Sequence, residues 1–216
     1  METKGSKARG RPRAFDIDEG VAIAQRLFEQ RGYDAVSVAD LTTAIGINPP
    51  SFYAAYGSKA ELFRRALARY TANVPPTRAT LTPGRPAAEA LGELLTNAAR
   101  RDARDAQPLG CMVIEATRAD DAAARDAALV CAQSTVDAIH TFVARTHPTL
   151  AAPLSDYMNT VLFGLSAMAR AGVTAERLVT IARNATLAVS AMLEGETRQA
   201  AAPRRPAVTR AAGRRR

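Results

Sequence analysis

Ile45 to Tyr56, IGINPPSFYAAY, sets two consecutive prolines beside a helical pattern, and what they do there decides the fold. Inside a helix a proline removes an amide donor and clashes with the preceding turn. In the first turn neither penalty applies, because those amides have no intrahelical acceptor to lose. Asn48 is a good N-cap residue, Pro49 falls on the first helical position, and Ile47 and Phe52 occupy the two positions of a hydrophobic staple. The prolines therefore open a helix, predicted over residues 49–56. Gly46 supplies the positive φ with which the chain leaves the helix before it.

The same devices recur on either side. Ser37 with Asp40 reads as a capping box, with Val36 packing on Leu41, for a short helix over 38–45. Asp16 with Glu19 opens a helix over 17–31, whose apolar face is Ile17, Val21, Ala24, Leu27 and Phe28, and Gly32 closes it as a left-handed cap. Ser58 with Glu61 forms another Ser-x-x-Glu box, followed by the stripe Leu62, Phe63, Ala66, Leu67 and Tyr70. Two helices joined by Gly46-Ile47-Asn48 and flanked by two more make a helix-turn-helix.

Beyond a Pro/Thr/Gly-rich connector at about 74–85, Ala-rich helices are predicted at 86–105, 108–118, 121–146, 153–171 and 174–194, with no run of alternating strand residues. The fold class is all-α: an N-terminal helix-turn-helix domain and a C-terminal helical domain, about nine helices in all.

Apolar residues are 47% of the 216, enough for a packed core. The net charge of +8 is unevenly spread. Residues 1–14 carry five cations, Arg9, Arg11 and Arg13 among them, against one acid, and residues 198–216 carry seven arginines and no acid, leaving −3 between them. Both ends lack apolar periodicity and are predicted to be disordered. The organisation expected is thus a basic arm (1–14), a helix-turn-helix domain (15–73), a regulatory and dimerisation domain (74–197) and an Arg-rich tail (198–216). Without a signal peptide or an apolar run of about 18 residues, the chain reads as soluble and cytoplasmic. Cys111 and Cys131 are too few for a disulfide framework, and with His140 and His147 offer no metal-site spacing. No cofactor is expected. The lack of a nucleophile–base pair, metal cluster or phosphate loop disfavours an enzyme.

Leu27-Phe28, Arg31-Gly32-Tyr33, Ser37-Val38-Ala39-Asp40-Leu41, Ala44-Ile45-Gly46-Ile47, Ser51-Phe52-Tyr53 and Tyr56-Gly57-Ser58-Lys59 with Leu62-Phe63 together resemble the N-terminal domain of TetR-family transcriptional regulators. The resemblance covers about a quarter of the chain. It implies an all-helical homodimer that binds a double-stranded DNA operator through the N-terminal domain and an unidentified small-molecule effector through the C-terminal one, with no membrane partner.

On the predicted recognition helix Phe52 and Tyr56 face inward, leaving Pro50, Ser51, Tyr53 and Ala54 outward. The resemblance makes Tyr53 and Lys59 phosphate contacts, with Ser37 and Thr42 reaching the DNA backbone from the preceding helix. Tyr53 also reads as a ring capping the small domain, and Lys59 as a solvated residue. Asn48, Pro50, Ser51, Ala54 and Thr43 complete the expected DNA surface. No Arg, Gln, Asn or Lys projects from the middle of that helix, so bidentate base recognition is lacking there. Selectivity is therefore expected from apolar contacts, DNA shape and the arm with Arg9, Arg11 and Arg13.

For the C-terminal domain the expected effector lining is Leu94, Leu95, Met112, Glu115, Thr135, Met158, Asn159, Leu162 and Phe163, although a helical core reads the same way. The resemblance places the dimer interface on the last two helices, with Gly164, Ala167, Ala171, Leu178, Ile181, Ala185, Val189 and Met192 as candidates, or as part of the monomer's own core. Cys111, predicted in a first helical turn where a thiol pKa is lowered, is a redox or electrophile-sensing candidate, or simply a small packed residue. The leading expectation is a ligand-responsive repressor on a palindromic operator. A constitutive DNA-organising protein and a Cys111-based sensor are the alternatives.

Overall fold

The computed structural model describes residues 16–73, 77–103 and 110–201. Among them there is no strand. The elements are α1 (Ile17–Arg31), α2 (Val38–Ile45), α3 (Pro49–Tyr56), α4 (Lys59–Asn73), the single turn α5 (Thr77–Thr80), α6 (Ala87–Asp102), α7 (Met112–Ala116), α8 (Ala122–Ala144), α9 (Ala151–Arg170) and α10 (Ala175–Ala201). The first four have the predicted bounds or nearly so. The expected arm with Arg9, Arg11 and Arg13, and the tail beyond residue 201, lie outside the described residues.

The chain packs as two compact units. One holds α1–α4 with residues 112–129, and the other holds α5, α6, Gly110, Cys111 and the chain from Val130 on. The continuous helix α8 belongs to both, its first eight residues to the first unit and the rest to the second.

In the first unit local devices fix the helix ends. The Asp16 carboxylate accepts from the amides of Asp18 (2.8 Å) and Glu19 (3.3 Å). The capping box of α2 is complete in both directions, Ser37 Oγ accepting from Asp40 N and Asp40 Oδ2 from Ser37 N. Gly32 has φ 76° but ψ 167°, so it is an extended positive-φ residue and not the left-handed cap expected. At Ser58 only half of the predicted box forms. Its hydroxyl accepts from Glu61 N, while the Glu61 carboxylate turns to Arg64 and Arg65 because two guanidiniums attract it more than one amide does. The interior is an aromatic cluster in which Phe28, Tyr33 and Phe63 lie 4.9–5.8 Å apart between ring centroids. Leu41, Phe52, Leu62 and Leu67 bury around it.

In the second unit α6 lies against α10 and α9, with Leu91, Leu95, Leu154, Met158, Leu165, Leu178 and Val189 in the core. A Cβ built on Gly92 of α6 would stand 2.5 Å from Thr186 Cγ2 of α10, so the glycine leaves the room that the Thr186 side chain fills. The helix ends drift from expectation. α7 shrinks to five residues, and α9 starts two residues before Pro153, which a first turn tolerates. α10 runs to Ala201, so Arg198 is helical and lies 4.0 Å from Glu194, because no proline interrupts the chain before Pro203.

By length and composition α8 could cross a membrane, contrary to the expectation that no such apolar run exists. One such helix is weak evidence of a span: α8 buries Ala124, Ala128, Ile139 and Val143 but leaves Leu129 and Val130 exposed, and only 22% of its apolar stretch is covered.

Candidate nucleic-acid interface

The turn between α2 and α3 is closed from both ends. Gly46 sits at φ 78°, ψ 31°, in the left-handed region, and the amides of Gly46 and Ile47 both donate to Thr42 O at 2.9 and 3.1 Å. Asn48 Oδ1 then accepts from Ser51 N at 2.9 Å. Pro49 and Pro50 occupy the first two helical positions, as their missing donors allow. Phe52 and Tyr56 are fully buried, and the Tyr56 hydroxyl donates to Ile17 O at 3.1 Å, tying α3 to the start of α1.

That anchoring turns the other face of α3 outward. Pro50, Ser51 and Ala54 are exposed, as are Thr43 on α2 and Asn48 in the turn. Tyr53 is 54% exposed, with its ring braced edge-on against Phe52 at 5.4 Å, so it does not cap the domain interior. Nothing on α3 carries a charge.

Two residues expected on the DNA face are otherwise engaged. Thr42 is buried and its hydroxyl donates to Ala39 O at 3.0 Å, which removes it from the outer surface. Facing inward follows from its place one residue past Leu41, on the buried side of α2. Ser37 is exposed, but its hydroxyl also donates to Asp40 Oδ2 at 2.6 Å. Ser37's hydrogen bonds, and secondarily Arg31, hold the Asp40 carboxyl well below the usual carboxylate range. Arg31 reaches Asp40 at 3.1 Å and donates to Ala35 O, a clamp across the α1–α2 turn that periodicity does not reveal.

Lys59, the first residue of α4, is half-buried, and its ammonium stands 4.0 Å from the centroid of the Tyr33 ring. It is therefore not a plain solvated lysine. Burial lowers its pKa, while Asp34, Asp121 and Asp40 pull it back up.

Of the expected effector lining, Leu95, Met158 and Leu162 are buried in the second unit, and Leu94, Thr135, Asn159 and Phe163 are half-buried there. Met112 and Glu115 belong to the first unit, because α7 packs on α4; apolar pattern alone cannot say which unit a short helix joins. A concavity of about 380 Å³ opens between α9 and α10, bordered by Tyr157, Val161, Gly164, Met168, Ile181 and Ala185 among others, and by none of those nine residues.

Gly164, Ala167, Ala171 and Ile181 from the expected dimer set are exposed, and Ala185 borders the groove although it is mostly covered. Leu178 and Val189 are fully buried inside their own chain and Met192 is half-buried. Leu178 and Val189 fall on the stripe of α10 that packs on α6 and α9, so they are core and not interface. Cys111 is buried and precedes α7 instead of lying in its first turn, its amide donating to Ser166 Oγ of α9 at 2.8 Å.

The family described as "Bacterial regulatory proteins, tetR family" matches residues 21–66, the stretch that holds α2, α3 and the capped turn between them. The HTH-type transcriptional repressor BdcR of Escherichia coli (strain K12) is 43% identical over 192 residues, covering 88% of this chain and 98% of its own length. This chain belongs to the tetR family. A second relative, the HTH-type transcriptional repressor ComR of Escherichia coli (strain K12), is 48% identical over 64 residues, 30% of each chain. The TetR family transcriptional regulator CifR, solved as a cysteine mutant with a 26-base-pair operator duplex, is 36% identical with a TM-score of 0.75, covering 82% of this chain and 99% of that one. As a TetR-family protein the chain is a DNA-binding transcriptional regulator and not an enzyme. Its α2 and α3 are the family's helix-turn-helix.

Proposed function

We propose that this chain is a homodimeric repressor that binds a palindromic operator in the cytoplasm and releases it when a small-molecule effector occupies the second unit. The observation that carries the dimer is the open apolar groove of α9 and α10, where Met168 is 39% and Ile181 38% exposed, with Leu187 at 70% farther along α10. A second copy laid on this face removes that apolar surface from water, and two-fold symmetry then presents two α3 helices to half-sites a helical turn or a multiple of it apart. Repression is supported by BdcR, a named repressor, and operator binding by CifR, solved on operator DNA.

On DNA, α3 lays Pro50, Ser51 and Ala54 into the major groove with Thr43 beside them. Tyr53 and Lys59 contact phosphates, and Arg9, Arg11 and Arg13 follow the minor groove. The described helix-turn-helix face has few cations, so the arm supplies much of the counterion release. The effector binds within the second unit and shifts the population toward a form whose heads no longer match the operator.

The test is the double substitution Met168→Glu with Ile181→Glu. Light scattering is expected to report monomers with unchanged far-ultraviolet circular dichroism. Affinity for a full operator is expected to fall by about 100-fold or more, toward that of a single half-site. A dimer of unchanged mass with unchanged operator affinity would sink the reading.

A further inference from the structure

Tyr33 follows α1 directly after Gly32 and is buried, yet its side chain serves two neighbours at once. Its hydroxyl donates to Asp121 Oδ2 at 2.7 Å, and its ring lies under the Lys59 ammonium at 4.0 Å. Asp121 immediately precedes α8, and its other oxygen, Oδ1, accepts from the amides of Ala123 (2.9 Å) and Ala124 (3.3 Å), so one carboxylate caps α8 and holds the phenol. Beside it the Asp34 carboxylate accepts from the Asp120 amide at 3.2 and 3.3 Å. All of these residues belong to the first unit.

The helix-turn-helix does not need this connection for its own core, since Phe28 and Phe63 already pack edge-on at 5.1 Å. What the connection does is attach the turn after α1, and the platform of Lys59, to the first residues of a helix that continues into the other unit. A phenol donating to a carboxylate is among the stronger hydrogen bonds available to a protein, and it is either made or broken. Coupling between two sites requires an element with two such discrete arrangements.

We infer that Asp121, at the amino end of α8, is a positioning residue for the phosphate contact of Lys59, acting through Tyr33. With the hydroxyl bound to Asp121, the ring is fixed as the platform on which the Lys59 ammonium rests. When α8 shifts along its axis or tilts, Asp121 leaves, the phenol loses its tether, and Lys59 is no longer presented to DNA. This inference rests on the proposed role of Lys59 at a phosphate.

The test uses the full chain and a duplex that the unsubstituted protein selects from a random pool, with affinity measured over a range of salt and thermal unfolding recorded alongside. Lys59→Ala is expected to lower the salt slope by about one phosphate. Tyr33→Phe keeps the ring and removes the hydroxyl; it is expected to weaken binding about tenfold and to lose the same increment of slope. Combining Tyr33→Phe with Lys59→Ala is expected to be no worse than Lys59→Ala alone. Asp121→Asn keeps one carbonyl oxygen for the α8 amides and turns its NH2 to the phenol, whose oxygen then accepts, so the tether survives as a reversed, neutral hydrogen bond and affinity stays within about twofold of the parent, whereas Asp121→Ala falls to the level of Tyr33→Phe.

If Tyr33→Phe and Asp121→Ala lower the unfolding temperature but leave the salt slope intact, the role is structural and the inference is overturned. Additive losses from Tyr33→Phe and Lys59→Ala overturn it as well. Should Lys59→Ala itself leave the slope unchanged, the phosphate contact falls and the inference falls with it. That outcome is distinguishable from a normal Lys59→Ala effect with a silent Tyr33→Phe, which defeats the coupling alone.

Discussion

The two units of this protein stop their helices by different means. In the first, α1, α2 and α3 span 15, 8 and 8 residues and each begins at a side chain that accepts from the helix's own amides. In the second, α6 and α9 span 16 and 20 residues, begin at Pro86 and Leu150, and make no side-chain cap at all. A helix of eight residues gains little from propagation and must have its ends satisfied locally. A helix of twenty residues lies along a broad apolar neighbour, and burial decides where it runs. The difference teaches that the DNA-reading unit is specified residue by residue, whereas the regulatory unit is specified by how its helices fit each other.

The largest test of that contrast is Phe63→Ala, which removes the ring shared by Phe28 and Tyr33. A loss of about 3–5 kcal/mol in the first unit is expected by chemical denaturation followed by circular dichroism, with operator binding abolished. A loss under 1 kcal/mol would mean that caps, and not packing, dominate even there.

In the second unit Gly92→Ala probes fit. Its Cβ collides with Thr186, whose rotamer is held by the hydroxyl donating to Ala182 O at 2.8 Å. We expect a loss of about 1–3 kcal/mol, although alanine is the better helix former, and recovery when Thr186→Ala is added. The same denaturation measurement checks both.

Asn48→Ala, which removes only the cap of α3, is expected to cost about 1 kcal/mol and to weaken DNA binding without changing oligomeric state. The smallest effect concerns Asp40. Its folded pKa is depressed, chiefly by Ser37's hydrogen bonds, so its contribution is complete at neutral pH and is lost as pH falls from about 4 towards the depressed value. The gap in unfolding midpoint between the parent and Asp40→Asn should accordingly be constant near pH 7 and close below about pH 4. A gap that persists in acid would exclude ionisation as its source.

Much of the first unit was legible because its signals lie within a few residues of the elements they control. Asn48, the paired prolines, Gly46 and the Ser37–Asp40 box each act over one to three positions, so the bounds of α2 and α3 follow from reading along the chain. The outward face of α3 followed too, once Phe52 and Tyr56 were placed inward. Thr42 failed because a residue on the margin of a buried stripe turns inward or outward according to what packs above it. Met112 and Glu115 failed because α7 joined α4, which ends at Asn73, with the whole of α6 lying between them in the sequence. Leu178 and Val189 failed because an apolar stripe does not say whether its partner is in the same chain or in another.

The sequence by itself determined the all-helical class, the helix-turn-helix and the cap of its recognition helix, since these depend on hydrogen bonds closed within a single turn and on periodicity. Only the tertiary structure decided that Tyr33 meets Asp121 across 88 residues, that Gly92 admits Thr186, and that α8 is shared between the units. Those contacts depend on where distant helices come to lie, a consequence of burying many apolar faces at once that no local pattern encodes.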